Sequence, residues 1–210
     1  MLVNNFVEKL YFATYYRKFY PINLYKPLIE HMFAIFGKKK IKEDVVANIF
    51  VNSILETIDN GFPEIVGILN DAAEFTTSPN LSEKDNDRFT LIVIAGNLAY
   101  IPMYLSHSKD ERIIRLIFSK LSKVFDVDQE RLESVIKEYQ TYLSKINHPS
   151  KNTLYAMSKA IFGKYELYDY QDEYFKNMKS PNPMLLKRLD EAMENFLWNW
   201  ETFNQKHYIS

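Results

Sequence analysis

The sequence predicts an all-α fold: a single domain, residues 1–210, of about nine helices packed around a central apolar helix near residues 86–105. Three observations predict it. First, no side chain from Phe89 to Leu105 is charged, so a helix there is apolar on nearly every side and has to be surrounded by protein. Second, the segments on both sides repeat apolar residues at helical spacing, between residues that start and stop helices. Third, the chain has five glycines in 210 residues, fewer than sheets joined by tight turns require. No segment alternates with period two, and no repeat or low-complexity tract is present.

The elements follow in order. Asn4 or Asn5 caps a helix that runs to Phe19 and stops before Pro21. A second helix follows Asn23, accepts Pro27 in its opening turn and ends at Gly37. Lys38-Lys39-Lys40-Ile41-Lys42 is a basic loop or the entry to the next helix. From Glu43 to Asn60, Val46, Ile49, Phe50, Ile54 and Ile58 share one face, and Asn48, Asn52, Glu56 and Asp59 lie off it. Gly61 is read as the cap of that helix, and Pro63 as the start of a short one reaching Phe75. Residues 76–84 form the clearest loop, with Ser82 and Asp85 as a weakened capping box for the central helix.

The central run sits at the lower limit of about 17 residues for a membrane span. It contains Gly96, Asn97 and Pro102, and neither flank is distinctly basic. A buried helix ending or kinking near Pro102 is therefore expected, not a span. Beyond it, Ser108 with Glu111 reads as a capping box. The helix that follows buries Ile113, Ile114, Ile117, Leu121 and Val124. The next buries Leu132, Val135, Ile136, Tyr139, Leu143 and Ile146 and is broken at Asn147-His-Pro-Ser150. Ser150 opens a helix ending at Gly163, and residues 165–178 read as another. Asn182 caps, and Pro183 opens, a last helix running to about Gln205.

Composition narrows the function. A 47% hydrophobic content excludes disorder. The chain has no cysteine, which excludes disulfides, thiol nucleophiles and thiolate metal sites. No basic leader precedes an apolar core at the N-terminus, so a cytoplasmic, soluble protein is expected. Among His31, His107, His148 and His207, none belongs to His-Glu-x-x-His and none follows a glutamate by three residues. There is no phosphate-binding glycine loop. Asp71 with Glu74, and Asp169 with Asp172 and Glu173, stand at helical spacing. With 27 carboxylates in the chain, such pairs arise by chance. No catalytic residue, cofactor or metal ligand is assigned from these patterns.

Charge is unevenly placed. Residues 1–42 hold eight Lys/Arg and two Asp/Glu, and residues 43–87 hold one Lys/Arg and ten Asp/Glu. The two segments are expected to neutralise each other, since consecutive elements usually adjoin. The alternative is a patch for an anion or nucleic acid through Arg17, Lys18, Lys38, Lys39, Lys40 and Lys42. The pI of about 6.4 argues against it.

Two features point to a protein partner or a homodimer. On a continuous last helix, Leu186, Leu189, Met193, Phe196, Trp200 and Phe203 form the core face and Trp198 falls opposite, as an anchor for a partner or a contact with another part of the fold. Residues 165–175 hold Tyr165, Tyr168, Tyr170 and Tyr174 among four acids, and tyrosine suits interfaces. The leading expectation is thus a non-enzymatic helical protein acting through protein–protein interaction. The alternative is a ligand-binding protein, or a carboxylate- or metal-dependent enzyme, with its pocket against the central helix near Asn97 and Tyr100.

Overall fold

The computed structural model describes residues 38–210. They form β1 (Lys39–Ile41), α1 (Glu43–Asn70), α2 (Asp87–Tyr104), α3 (His107–Val124), α4 (Gln129–Asn147) and α5 (Thr153–Lys164). A 3-10 turn (Leu167–Tyr170), α6 (Glu173–Met178), α7 (Pro183–Met193), a second 3-10 turn (Glu194–Phe196), α8 (Trp200–Lys206) and β2 (His207–Ile209) complete them. The protein is all-α with little strand. The helix count differs slightly from the expected one. Two of the expected helices, and the anion contacts weighed for Arg17 and Lys18, lie outside the described residues, as does His31.

The central helix is α2, and it is buried without interruption from Phe89 to Leu98. Helices α1, α3, α4, α5 and α8 pack around it. Pro102 lies in its last turn, where the chain is already exposed. Among the described residues no helix is long and apolar enough to cross a membrane. Gly96 is the closest point of approach. A methyl group there would run into the Met157 sulfur of α5. Its glycine therefore permits close helix packing.

Several expected boundaries are corrected. Residues 43–70 form one helix, although Gly61 and Pro63 read as a stop and a start. Ile58, Phe62, Ile65 and Val66 are all buried across the junction, and that packing outweighs the backbone cost of one proline. Gly61 has a packing role: a Cβ there would stand 2.6 Å from Cζ of Phe196. Ser82 and Asp85 do bond, Ser82 N–H to Asp85 Oδ2 at 3.1 Å, but in a turn ahead of α2. Helix α3 begins at His107 after Ser106, without the Ser108 box. Asn152, not Ser150, caps α5, accepting from Tyr155 N–H at 3.2 Å. The Asn182–Pro183 start of α7 forms as expected, with Asn182 Oδ1 accepting from Met184 N–H at 2.9 Å.

The last stretch is not one helix. It breaks between Phe196 and Trp200, and Asn199 caps α8 by accepting from Thr202 N–H at 2.8 Å. The chain then pairs β2 parallel to β1, with Lys39 opposite His207, Lys40 opposite Tyr208 and Ile41 opposite Ile209. Sequence patterning had shown no strand here.

Candidate interaction surfaces

The break after Phe196 decides where Trp198 goes. Asn97, 1% exposed inside α2, reaches across to the broken backbone. Its amide donates to Val93 O at 2.9 Å and Phe196 O at 2.8 Å, and its Oδ1 accepts from Trp198 N–H at 2.7 Å. Both amide hydrogens and the carbonyl are thus used on backbone groups, at the point where the C-terminal segment leaves its helix. The Asn97–Tyr100 pocket loses its polar anchor, because Asn97 has no amide hydrogen left for a ligand; Tyr100 is half-buried beside it.

Trp198 is correspondingly not a free anchor. It is half-buried and packs edge-on to Phe50 at 5.8 Å and to Trp200 at 6.0 Å, with Phe203 at 5.5 Å. The indole N–H groups of Trp198 and Trp200 are buried without a hydrogen-bond partner among the described residues. Both rings belong to one aromatic cluster with Phe50 and Phe203.

The stretch 165–175 is not one helix either. Glu166 takes the left-handed conformation at φ 57°, which ends α5 and turns the chain. Tyr165 is buried, donates to Asp85 O at 2.5 Å and accepts from Phe89 N–H at 3.1 Å, fixing the first turn of α2. Tyr168 and Tyr170 are half-buried against the core. Of the four tyrosines expected on a contact surface, only Tyr174 stands in solvent, 66% exposed.

Tyr174 lies on α6, which has no buried residue. Both ends of α6 are nevertheless fixed. Asp172 caps it by accepting from Tyr174 N–H and Phe175 N–H at 2.9 and 3.1 Å. Gln171, 2% exposed, donates to Ser180 O at 3.0 Å and accepts from Asn182 N–H at 2.6 Å, which closes the base of the loop. Tyr174 and Met178 are four residues apart on one face of α6, and Met184 opens α7 just beyond. All three are well over half exposed. Nothing in the local pattern around Gln171 announces this closure.

A second cluster went unnoticed in the sequence. Lys164, at the end of α5, holds its ammonium 4.1 Å from the ring centre of Tyr139 and 4.8 Å from that of Tyr142, both on α4. Burial lowers the Lys164 pKa. Burial pushes Tyr139 up to about 12, with the nearby Asp87 carboxylate adding to it. Asp87 itself is raised, by burial first. Arg88 donates to Lys164 O at 2.5 Å. A cation held against two rings is a cross-link: it joins α4 to α5.

The acidic segment finds partners far along the chain. Glu43 accepts from Arg112 at 2.7 and 2.9 Å, Asp44 pairs with Lys120 at 2.7 Å, and Glu74 pairs with Arg188 at 2.5 Å. Between described residues, Glu43, Asp44 and Glu74 pair with Arg112, Lys120 and Arg188 and not with Lys38–Lys42. Those lysines are exposed. The expected neutralisation by residues 1–37 lies outside the described residues. The carboxylate pairs at helical spacing have other duties: Glu74 in its ion pair, Asp172 as a cap, and Asp169 paired to Lys176 at 3.6 Å. Among the described residues no three His, Asp or Glu side chains group as metal ligands. No family model, curated protein or solved structure matches the chain.

Proposed function

We propose that this is a non-enzymatic helical protein that acts by protein–protein interaction, and that its first partner is a second copy of itself. The observation that carries the reading is α6. A six-residue helix with no buried side chain gives nothing to the core, yet a buried glutamine and a capping aspartate hold it in place. Rigid display of Tyr174, Met178 and Met184 lowers the ordering cost of binding, and exposed aromatic and methionine side chains suit an interface centre.

The charge around the patch favours a like partner. Asp172 and Glu173 stand at the start of α6, and Lys179 and Lys187 stand past its end, all exposed. A two-fold axis through the patch brings the acids of one copy to the lysines of the other, as an isologous interface requires.

Native mass spectrometry and light scattering on the full chain test this. A dimer is expected at micromolar concentration, and Tyr174→Glu with Met178→Glu is expected to give a monomer with an unchanged circular dichroism spectrum. A wild-type monomer at the highest soluble concentration, or a dimer surviving the double substitution, removes the reading. Formation of a complex with a different, identified protein through Tyr174 and Met178 keeps the interaction role and replaces the like partner.

A further inference from the structure

We infer that the sheet formed by β1 and β2 carries a binding face for single-stranded nucleic acid. It is independent of the α6 surface. Ile41 and Ile209 are register partners, Ile41 half-buried and Ile209 buried, so this side of the ribbon faces the core. Side chains alternate along extended chain. Lys40 and Lys42 flank Ile41, and Lys42 is still extended at φ −77° and ψ 148°. Both therefore project to the solvent side, about 6.6 Å apart, with Lys38 continuing the series toward the N-terminus. Tyr208 is the register partner of Lys40 and is 59% exposed. Lys109 completes the face. Its ammonium donates to Ile209 O at 2.6 Å and stands 5.2 Å from the centre of the Tyr208 ring.

The arrangement is a line of cations beside one exposed ring. Regularly spaced phosphates along a strand match the cations, and an unpaired base matches the ring by stacking. The acids next to the tract do not cancel it, because Glu43 is held by Arg112 and Asp44 by Lys120. An anionic membrane is the competing occupant, since Met103 and Tyr104, also exposed, end α2 close by: Asn204 of α8 reaches Tyr104 O at 3.4 Å. Cations set in register along a strand favour a chain of phosphates over a lipid surface.

Fluorescence anisotropy of a labelled thymidine oligomer about 15 nucleotides long, with the full chain, is the test. Binding is expected at about 50 mM salt and is expected to weaken steeply by about 200 mM. Lys38→Gln, Lys40→Gln and Lys42→Gln together are expected to reduce the slope of log affinity on log salt by about 2. Tyr208→Ala is expected to weaken the single strand about tenfold and leave that slope unchanged. Circular dichroism reports whether each variant is folded. No binding at the lower salt, an unchanged slope in a folded triple variant, or equal affinity for a duplex overturns the assignment. So does tighter binding to phosphatidylcholine vesicles with about one quarter phosphatidylserine, if Met103→Glu abolishes it.

Discussion

Gly67 and Gly96 sit in long helices and do opposite things there. A methyl group at Gly67 would meet nothing within 4 Å, whereas one at Gly96 would collide with Met157, a buried side chain. Alanine is the better helix former by about 0.8–1 kcal/mol. Gly67→Ala is therefore expected to stabilise the protein by roughly 0.5–1 kcal/mol. In Gly96→Ala the same gain meets an overpacking cost of about 1–3 kcal/mol, and a net loss is expected. Urea unfolding of the two variants checks both signs; a Gly96→Ala protein as stable as Gly67→Ala would mean that Met157 gives way freely. The sequence offers no way to rank these glycines, since their difference lies in what another helix brings against them. Asn97 is similar. Its burial was readable from the apolar run around it, but its partners Phe196 and Trp198 are about a hundred residues away.

Elements were legible where local pattern and tertiary packing agree. Helices α2, α3 and α4 keep the apolar faces their spacing implied, and Asn182-Pro183 starts α7 because cap and proline both act within one turn. Legibility failed where packing overrode a local signal, as at Gly61 and Pro63 inside α1. It failed again where a non-helical residue redirected the chain. The turn at Glu166 sends Tyr165, Tyr168 and Tyr170 inward, so of the tyrosines read as a surface only Tyr174 is exposed, and Met178, its neighbour on α6, was not read as part of it. The β1–β2 ribbon was beyond local reading altogether, because it pairs Lys39 with His207. It also makes a prediction at its own scale. Removing residues 207–210 takes away buried Ile209, the Ser210 N–H donation to Ile41 O at 2.9 Å and the Lys109 bond to Ile209 O. A loss of about 2 kcal/mol is expected, of the order of one buried isoleucine. Hydrogen exchange should show protection lost at Lys39–Ile41 while the centre of α2 keeps its own; uniform loss across all helices would mean the ribbon is integral to the core.

Among the described residues of the molecule, most of the titratable groups that burial perturbs gather where α2, α4 and α5 meet, with Asp190 of α7 apart from them. Tyr139, Tyr142 and Tyr165 are all raised, burial being the first cause for each. The consequence for stability has a definite sign. Below pH 10 these phenols keep their protons in the folded and unfolded chain alike and add no pH dependence. From the ordinary value of 10.0 toward the value of about 12 for Tyr139, the unfolded chain ionises first and the folded state loses stability as pH rises. By the top of that window Tyr139 accounts for roughly 2 kcal/mol. Lys164 works against this trend, because its lowered pKa means that burial penalises its charged form, and the penalty eases as it deprotonates. Tyr139→Phe keeps the ring under the Lys164 ammonium and removes the ionisable group. The variant is expected to match the wild type near neutral pH and to lose stability less steeply between pH 10 and about 12. Urea unfolding at a series of alkaline pH values, with tyrosinate absorbance followed in parallel, measures this. If the two stability curves fall together through that window, Tyr139 ionises as easily folded as unfolded, and the junction of α2, α4 and α5 is open to water.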